Sequence, residues 1–104
     1  VHRPNRGGPY PVLVWRTPYG KHKKQFEQYV RGGYIVVCQD VRGRYRSEGR
    51  WRPIQDDGPD GADLLAWIAK QSWSTGKVGL NGISYYAINQ WQVAALQPPH
   101  LAAI

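Results

Sequence analysis

Short apolar runs of strand length alternate along this chain with segments of helical pattern, and this alternation constrains the fold more than any other feature. Three runs are typical of buried strands: 11–16, 34–39 and 77–81. Helices are predicted over 21–30, from about Pro59 onward, and after Ser84. Because strands that alternate with helices are typical of βαβ units, the chain is predicted to be an α/β structure, with a mostly parallel sheet and flanking helices.

Each predicted helix carries apolar residues that indicate its buried face. The first is expected to turn three side chains inward: Phe26, Tyr29 and Val30. The second begins with Asp57, Asp60 and Asp63, which favour a helix N-terminus, and then presents one apolar face: Leu64, Leu65 and Ile68. The third carries a stripe that is expected to face the core: Ala87, Ile88, Trp91, Ala94 and Ala95.

Size and composition bound the class of protein. The 104 residues are 41% apolar and include 5 Trp and 7 Tyr, a composition that excludes a disordered tail. No run approaches the roughly 20 apolar residues of a membrane helix, so no membrane partner is expected. The first residue is Val1, and a new apolar run starts at 101–104. We therefore expect residues 1–104 to be a single, truncated part of a larger domain, with the remainder of that chain as its partner.

The single cysteine, Cys38, excludes a disulfide framework and a paired-cysteine metal site. It lies in an apolar run, where a small buried thiol is typical, and a reducing cytoplasm is the expected compartment. The sequence contains no glycine-rich phosphate loop, no His/Cys metal spacing and no dinucleotide fingerprint, so no cofactor is predicted.

The net charge of +7 is concentrated in the first half of the chain, where residues 1–55 hold 12 Lys or Arg against three acidic residues. The segment 42–52, called the basic loop below, interleaves Arg with Gly, Tyr and Trp, a pattern that can contact phosphates and stack bases. One alternative is therefore a non-catalytic basic fragment that binds nucleic acid or another anionic partner through this loop. The other interpretation is a solvated loop that an Asp40–Arg42 pair holds at the end of its strand.

The segment 79–87, called the junction below, carries the clearest chemistry. Ser84 lies between a predicted strand and a predicted helix, with Gly82 two residues before it, as in a nucleophile elbow. Such a turn is sharp and needs small residues, and it leaves the serine oxygen exposed at a helix N-terminus, where free N–H groups favour negative charge. The Tyr85 N–H would then be one oxyanion donor. The alternative is an ordinary turn in which Ser84 caps the helix.

Further motifs surround the junction in a fixed order, and together they resemble the cocaine-esterase and X-Pro dipeptidyl-peptidase-like hydrolases, the CocE/NonD family. The matching segments are 11–14, 16–21, 33–37, 39–43, 47–49, 63–68, 73–79, 79–87, 90–92 and 98–101. The resemblance implies a partial α/β-hydrolase fold and acyl transfer through a serine acyl-enzyme. It implies small-molecule esters or amides, or X-Pro peptides, as substrates.

The resemblance also implies roles for three residues. Ser84 matches the nucleophile, and Tyr85 matches the residue whose backbone N–H enters the oxyanion hole. Tyr19, in Arg-Thr-Pro-Tyr, matches a tyrosine whose hydroxyl is the second oxyanion donor; the alternative for Tyr19 is a surface aromatic beside a proline turn. Ala87 stands where the family pattern usually has Gly, a departure that we expect to cost little.

The catalytic triad is incomplete within these residues. A hydrolase of this type needs an acid and a histidine after the serine, but no Asp or Glu follows Asp63. His100 lies 16 residues beyond Ser84, and because a helix of that length spans about 24 Å, we expect it to be far from the serine oxygen. His2 and His22 precede the serine. The isolated chain is therefore expected to be inactive.

Overall fold

The structure is a computed structural model that describes residues 1–21 and 25–104, in which strands and helices alternate strictly. The elements are β1 (Tyr10–Thr17), α1 (Glu27–Arg31), β2 (Ile35–Asp40), α2 (Asp57–Ala69), β3 (Ser74–Leu80), α3 (Tyr85–Ala95) and β4 (Leu101–Ala103). The strand order is β2-β1-β3-β4, and every neighbouring pair is parallel. The predicted α/β class with a parallel sheet and flanking helices is confirmed.

The alternation of side chains along β1 and β2 divides the core between the two faces of the sheet. One face packs against α2 and α3 and contains nine buried residues: Val12, Val14, Ile35, Val37, Leu65, Ile68, Val78, Leu80 and Val93. The other face contains Trp15 and Val36, which pack with Phe26 beside α1. Because successive strand residues point to opposite faces, α1 lies on the side of the sheet away from α2 and α3. Cys38, expected to be buried, is half-buried against this second cluster.

The strands β1, β2 and β3 extend beyond their predicted bounds, and the sheet contains one additional strand, β4. β2 extends to Asp40, and β3 already begins at Ser74, three residues before the predicted start of that strand. Tyr10 pairs with Ser74 at this end of the sheet. The sequence pattern does not predict β4, since three residues are too few to show a period.

The predicted start of the first helix is wrong. α1 begins at Glu27, and residues 22–24, which the prediction included, lie outside the described residues. The predicted inward face is confirmed, because Phe26 is buried and Tyr29 and Val30 are partly buried against the same cluster.

The second predicted helix is confirmed. α2 begins with Asp57 and buries Leu65 and Ile68 completely. It is 13 residues long, and across residues 1–21 and 25–104 no helix has the length and hydropathy to cross a membrane.

The predicted inward stripe of the third helix is wrong. Ile88 and Trp91 are 47% and 70% exposed, whereas Asn89 and Val93 are buried. Asn89 faces the core because its side-chain amide donates a 2.9 Å hydrogen bond to the buried carbonyl of Arg16. A polar contact with β1 therefore sets the rotation of α3, and hydrophobic spacing does not reveal it.

Candidate active site

Ser84 occupies a strained and exposed position directly before α3. Its φ of 55° and ψ of −122° lie in a region that non-glycine residues rarely adopt. The side chain is exposed and makes no capping hydrogen bond, although the residue stands at the N-cap position. The interpretation of Ser84 as a helix cap is therefore wrong, because the backbone conformation is not that of an N-cap and the hydroxyl is not used for capping.

Gly82 permits the sharp approach of strand and helix that the sequence predicts. Its φ is 151°, and a Cβ at this position would overlap the Cβ of Tyr86 and lie 2.8 Å from its Cδ2. The Asn81 N–H donates a 2.9 Å hydrogen bond to the Val14 carbonyl, which extends the pairing of β3 with β1 up to the turn. The requirement for a small residue two positions before the serine is confirmed.

Tyr19 lies beside the same turn, just beyond the carboxyl end of β1. Its ring packs on Tyr86 with centroids 5.5 Å apart, and its edge contacts Tyr85 at 6.4 Å. The Tyr19 N–H donates to Thr17 Oγ1 at 2.9 Å, which fixes the backbone, while the side chain remains 47% exposed. The structure thus brings Tyr19 to the same edge of the sheet as Tyr85 and its neighbour Ser84, from which Tyr19 is distant in sequence.

Tyr85 is the first residue of α3, so its backbone N–H has no acceptor within the helix. Its hydroxyl donates to Asp57 Oδ2 at 2.6 Å and accepts from the Ile54 N–H at 2.9 Å. Burial, followed by the hydrogen bond to Asp57, raises the pKa of Tyr85 above its ordinary value. The phenol is therefore held in its neutral, donating form.

Asp57 connects this tyrosine to the centre of the sheet. Arg16 of β1 donates from Nη1 to the Asp57 carbonyl at 2.6 Å and brings Nη2 to 3.7 Å from Asp57 Oδ1. Both side chains are nearly inaccessible, at 2% and 6% exposed. Burial lowers the pKa of Arg16, although the negative charge of Asp57 acts in the other direction and raises it. Arg16 also donates from Nε to Gln39 on β2 at 2.9 Å. The sequence pattern does not reveal this pair, since its members lie 41 residues apart.

Asp40 organises the neighbouring end of β2. The predicted Asp40–Arg42 pair is wrong: Asp40 accepts from the N–H and the ammonium of Lys21, at 2.7 and 3.1 Å, whereas Arg42 forms a two-point pair with Asp60 on α2. Burial opposes ionisation of Asp40, but hydrogen bonds from Lys21 and from the Arg46 N–H outweigh it and lower the pKa of this carboxyl. Asp40, which is buried, thus takes its partners from Lys21 and the basic loop, and Arg42 ties that loop to α2.

The basic loop has no helix or strand, as predicted, and several of its arginines have partners within the chain. Arg44 lies over the Trp51 ring at 4.5 Å and donates to the Pro18 carbonyl at 3.1 Å. Arg52 pairs with Asp56, with Nε 2.9 Å from Oδ2. Arg44 and Arg52 thus already have partners within the chain, whereas the nucleic-acid alternative needs these arginines to bind an anionic partner.

The described histidines lie away from Ser84. His100 Nδ1 is 3.2 Å from the Gly76 carbonyl, near the start of β3, whereas Ser84 follows the end of that strand. His2 bridges to Val36 at the outer edge of β2, and His22 lies outside the described residues. The expected separation of His100 from the serine is confirmed. Within 1–21 and 25–104, no three His, Cys, Asp or Glu side chains are grouped so that they could hold a metal ion.

Comparisons with known proteins agree with this architecture. The sequence model of the X-Pro dipeptidyl-peptidase (S15) family matches residues 1–104. The cocaine esterase of Rhodococcus sp. (strain MB1 Bresler) is 42% identical over 112 residues, which cover 100% of this chain and 20% of that protein. A CocE/NonD family hydrolase of Staphylococcus aureus superimposes with a TM-score of 0.88 at 34% identity, covering 95% of this chain and 22% of that one. An α-amino acid ester hydrolase gives a TM-score of 0.87 at 29% identity, covering 97% and 21%.

These similarities define the fold as part of an α/β hydrolase. The chain belongs to the X-Pro dipeptidyl-peptidase (S15) family. The predicted resemblance to the CocE/NonD hydrolases is confirmed, and the relatives are hydrolases. The chain spans 20% to 22% of the length of these relatives.

Proposed function

We propose that residues 1–104 are one part of a single α/β-hydrolase domain, and that this domain is a serine hydrolase with Ser84 as its nucleophile. Support comes above all from the conformation of Ser84, which is exposed at the N-terminus of α3 with a φ of 55° and no capping bond. Strained backbone of this kind persists where the surrounding structure enforces it, and it occurs often at active sites. The family of hydrolases to which the chain belongs supports the same assignment.

In the proposed reaction, Ser84 Oγ attacks the carbonyl carbon of an ester or amide while a histidine removes its proton. The negative charge on the carbonyl oxygen is stabilised by the Tyr85 N–H and the Tyr19 hydroxyl. The leaving alcohol or amine takes the proton from the histidine, and water then hydrolyses the acyl-enzyme by the same steps. The positions of Tyr19 and Tyr85 beside one turn are consistent with these roles.

We propose that the acid and the histidine come from polypeptide outside these 104 residues. No Asp or Glu follows Asp63, and His100 lies at the opposite end of β3 from Ser84. The 104 residues alone are accordingly expected to show no turnover. A reducing cytoplasm stays the predicted compartment.

The proposed substrates are small esters and amides, with X-Pro peptides among the amides. The matched family is named for X-Pro peptides, and the relatives include a cocaine esterase and an α-amino acid ester hydrolase. The basic loop receives no separate role, because Arg42, Arg44 and Arg52 have partners within the chain.

The test is fluorophosphonate labelling of the gene product that carries these residues, followed by peptide mapping. Label on Ser84 and its complete loss in Ser84→Ala are expected, with turnover lowered by as much as ~10⁶-fold. Ser72→Ala, which changes an exposed serine in the turn between α2 and β3, is the matched control and should label normally. Persistent labelling of Ser84→Ala would mean that another residue is the nucleophile.

A further inference from the structure

The hydroxyl of Tyr85 makes two hydrogen bonds within the chain, although the proposed mechanism assigns no role to this hydroxyl. The mechanism needs only the backbone N–H of this residue, yet the hydroxyl is satisfied as both donor and acceptor, by Asp57 Oδ2 at 2.6 Å and the Ile54 N–H at 2.9 Å. These two contacts tie the first residue of α3 to α2 and to the segment before it.

The contact with Asp57 is anchored in the sheet. Arg16 holds Asp57 through its carbonyl at 2.6 Å and its carboxylate at 3.7 Å, and Gln39 accepts from Arg16 at 2.9 Å. Arg16 lies on β1, which is between β2 and β3 in the sheet. The Tyr85 hydroxyl is therefore linked through two buried charges to a strand that is paired on both sides.

A second contact joins α3 to the same arginine. Asn89, one helical turn beyond Tyr85, donates from Nδ2 to the Arg16 carbonyl at 2.9 Å in the buried interior. Residues four apart lie on one face of a helix, so Tyr85 and Asn89 together fix the rotation of α3 about its axis. That rotation decides on which side of the helix end the free Tyr85 N–H lies.

The strained turn is closed by one backbone hydrogen bond, from the Tyr86 N–H to the Ile83 carbonyl at 3.1 Å, and the Ser84 side chain adds no support of its own. The Ser84 side chain makes no capping hydrogen bond, and its φ of 55° must be maintained by the residues that flank it. On one side Gly82 packs against Tyr86; on the other side Tyr85 is held at its hydroxyl. Ile54, which has a φ of 71°, is held in turn by Tyr85 and by Gln92, whose Nε2 donates to the Ile54 carbonyl at 2.8 Å.

From this arrangement we propose that the Tyr85 hydroxyl, with Asp57 and Arg16, is a positioning group that aims the Tyr85 N–H and Ser84 at the reacting carbonyl. This inference rests on the proposed function of Ser84. It extends that function by assigning the side chain of Tyr85, and two residues that do not contact substrate, to the geometry of the oxyanion site.

The test uses Tyr85→Phe and Asp57→Asn in the gene product that carries these residues. Tyr10→Phe removes a hydroxyl that bonds the Arg6 carbonyl far from the site, and Asp63→Asn changes an exposed carboxylate on the same helix as Asp57, so these variants are the matched controls. For each protein, kcat and KM are measured with a p-nitrophenyl ester and normalised to the folded fraction. The rate of fluorophosphonate labelling of Ser84 is measured in parallel.

We expect Tyr85→Phe to lower both kcat and the labelling rate by about 10- to 100-fold, because displacement of a catalytic group by as little as ~1 Å can cost that much. KM should change less than threefold, since the hydroxyl does not contact substrate. Asp57→Asn should also lower kcat. Both control variants should keep kcat within twofold of the parent value. A merely structural role would reduce the folded fraction and leave the normalised kcat unchanged.

The outcomes separate the two proposals. If Ser84 of the parent is labelled but Tyr85→Phe reacts at the parental rate, the positioning role is wrong and the nucleophile stands. If Ser84 of the parent is not labelled, the proposed function itself is wrong. Should Asp57→Asn fail to fold, Tyr85→Phe decides alone, because it removes a single oxygen from a partly exposed ring.

Discussion

The junction of β3 and α3 and the basic loop carry the two most distinctive patterns in the sequence, and the structure builds them in opposite ways. At the junction, Ser84 is exposed with no capping bond, in a backbone conformation that costs energy. In the basic loop, Arg42, Arg44 and Arg52 are each bound to a group of the same chain. An exposed polar side chain that makes no hydrogen bond within the described part of the chain is therefore a better candidate for chemistry than a run of charged residues that are paired with groups of the same chain.

Two adjacent aspartates belong one to each of these regions, and their removal should have the most unequal effects on stability. Asp57 is buried and supports the junction through Arg16 and Tyr85, whereas Asp56 pairs with Arg52 of the loop near the surface. Asp57→Ala leaves a buried arginine without its counter-ion and should destabilise the protein by ~3–5 kcal/mol. Asp56→Ala should leave the unfolding midpoint nearly unchanged. Denaturant unfolding of both variants measures the contrast, and equal midpoints would contradict it.

Tyr19 tests whether the edge of the sheet at the junction is the reacting centre. Tyr19→Phe should lower kcat by about 10²- to 10³-fold with little change in KM, which is the usual effect of removing one oxyanion donor. Tyr45→Phe, an exposed tyrosine of the basic loop, is the control and should stay within twofold. Steady-state kinetics of the gene product decide the matter, and an unchanged kcat in Tyr19→Phe would remove Tyr19 from the site.

Asp40 joins the two regions, because it accepts hydrogen bonds both from Lys21, two residues after Tyr19, and from the Arg46 N–H of the basic loop. The pKa of Asp40 is lower in the folded protein than in the unfolded chain, so its contribution to stability is present above the ordinary value of ~3.9. That contribution is lost as the pH falls through the lower folded-state pKa. The melting temperature of the parent should therefore exceed that of Asp40→Asn at pH 7, and the difference should shrink on acidification below about pH 4. A constant difference across that range would show that charge is not its source.

The smallest effect is expected from neutralising the outer arginines of the basic loop. Arg46→Gln combined with Arg50→Gln should leave kcat and KM within twofold of the parent, because neither side chain belongs to the proposed site. Binding of single-stranded oligonucleotides, measured at several salt concentrations, should be equally weak in the parent and the variant. Salt-sensitive binding that the double substitution weakens would restore the anionic-partner interpretation.

The types and the order of the main elements could be predicted because they rest on local patterns, whereas several of their bounds could not. β1, β2 and the apolar end of β3 are short apolar runs. α2 is indicated by acidic residues at its start followed by an apolar face. The turn at Ser84 could also be predicted, since only a small residue at 82 permits the contact with Tyr86. β4 escaped prediction because three residues paired at the edge of a sheet leave no periodic signal.

The inward face of α3 and the pairing of the charged residues could not be predicted. Ile88 and Trp91 are more apolar than Asn89, yet Asn89 faces the core because it satisfies the Arg16 carbonyl. Asp40 and Arg42 are near neighbours in the sequence, but their partners are Lys21 and Asp60. Long-range partners are set by which loops meet at the carboxyl edge of the sheet, and sequence spacing does not contain that information.

The α/β class, the family of hydrolases and the strained serine turn follow from the sequence alone, because each rests on short motifs whose residues are close together along the chain. The contact of Tyr19 with Tyr85, and the buried arginine and aspartate that connect Tyr85 to β1, emerge only in the folded molecule. The physical reason is that a parallel sheet brings the ends of its strands to one edge, where residues far apart in sequence become neighbours. Buried polar groups there must find partners, and the fold selects which partners are within reach.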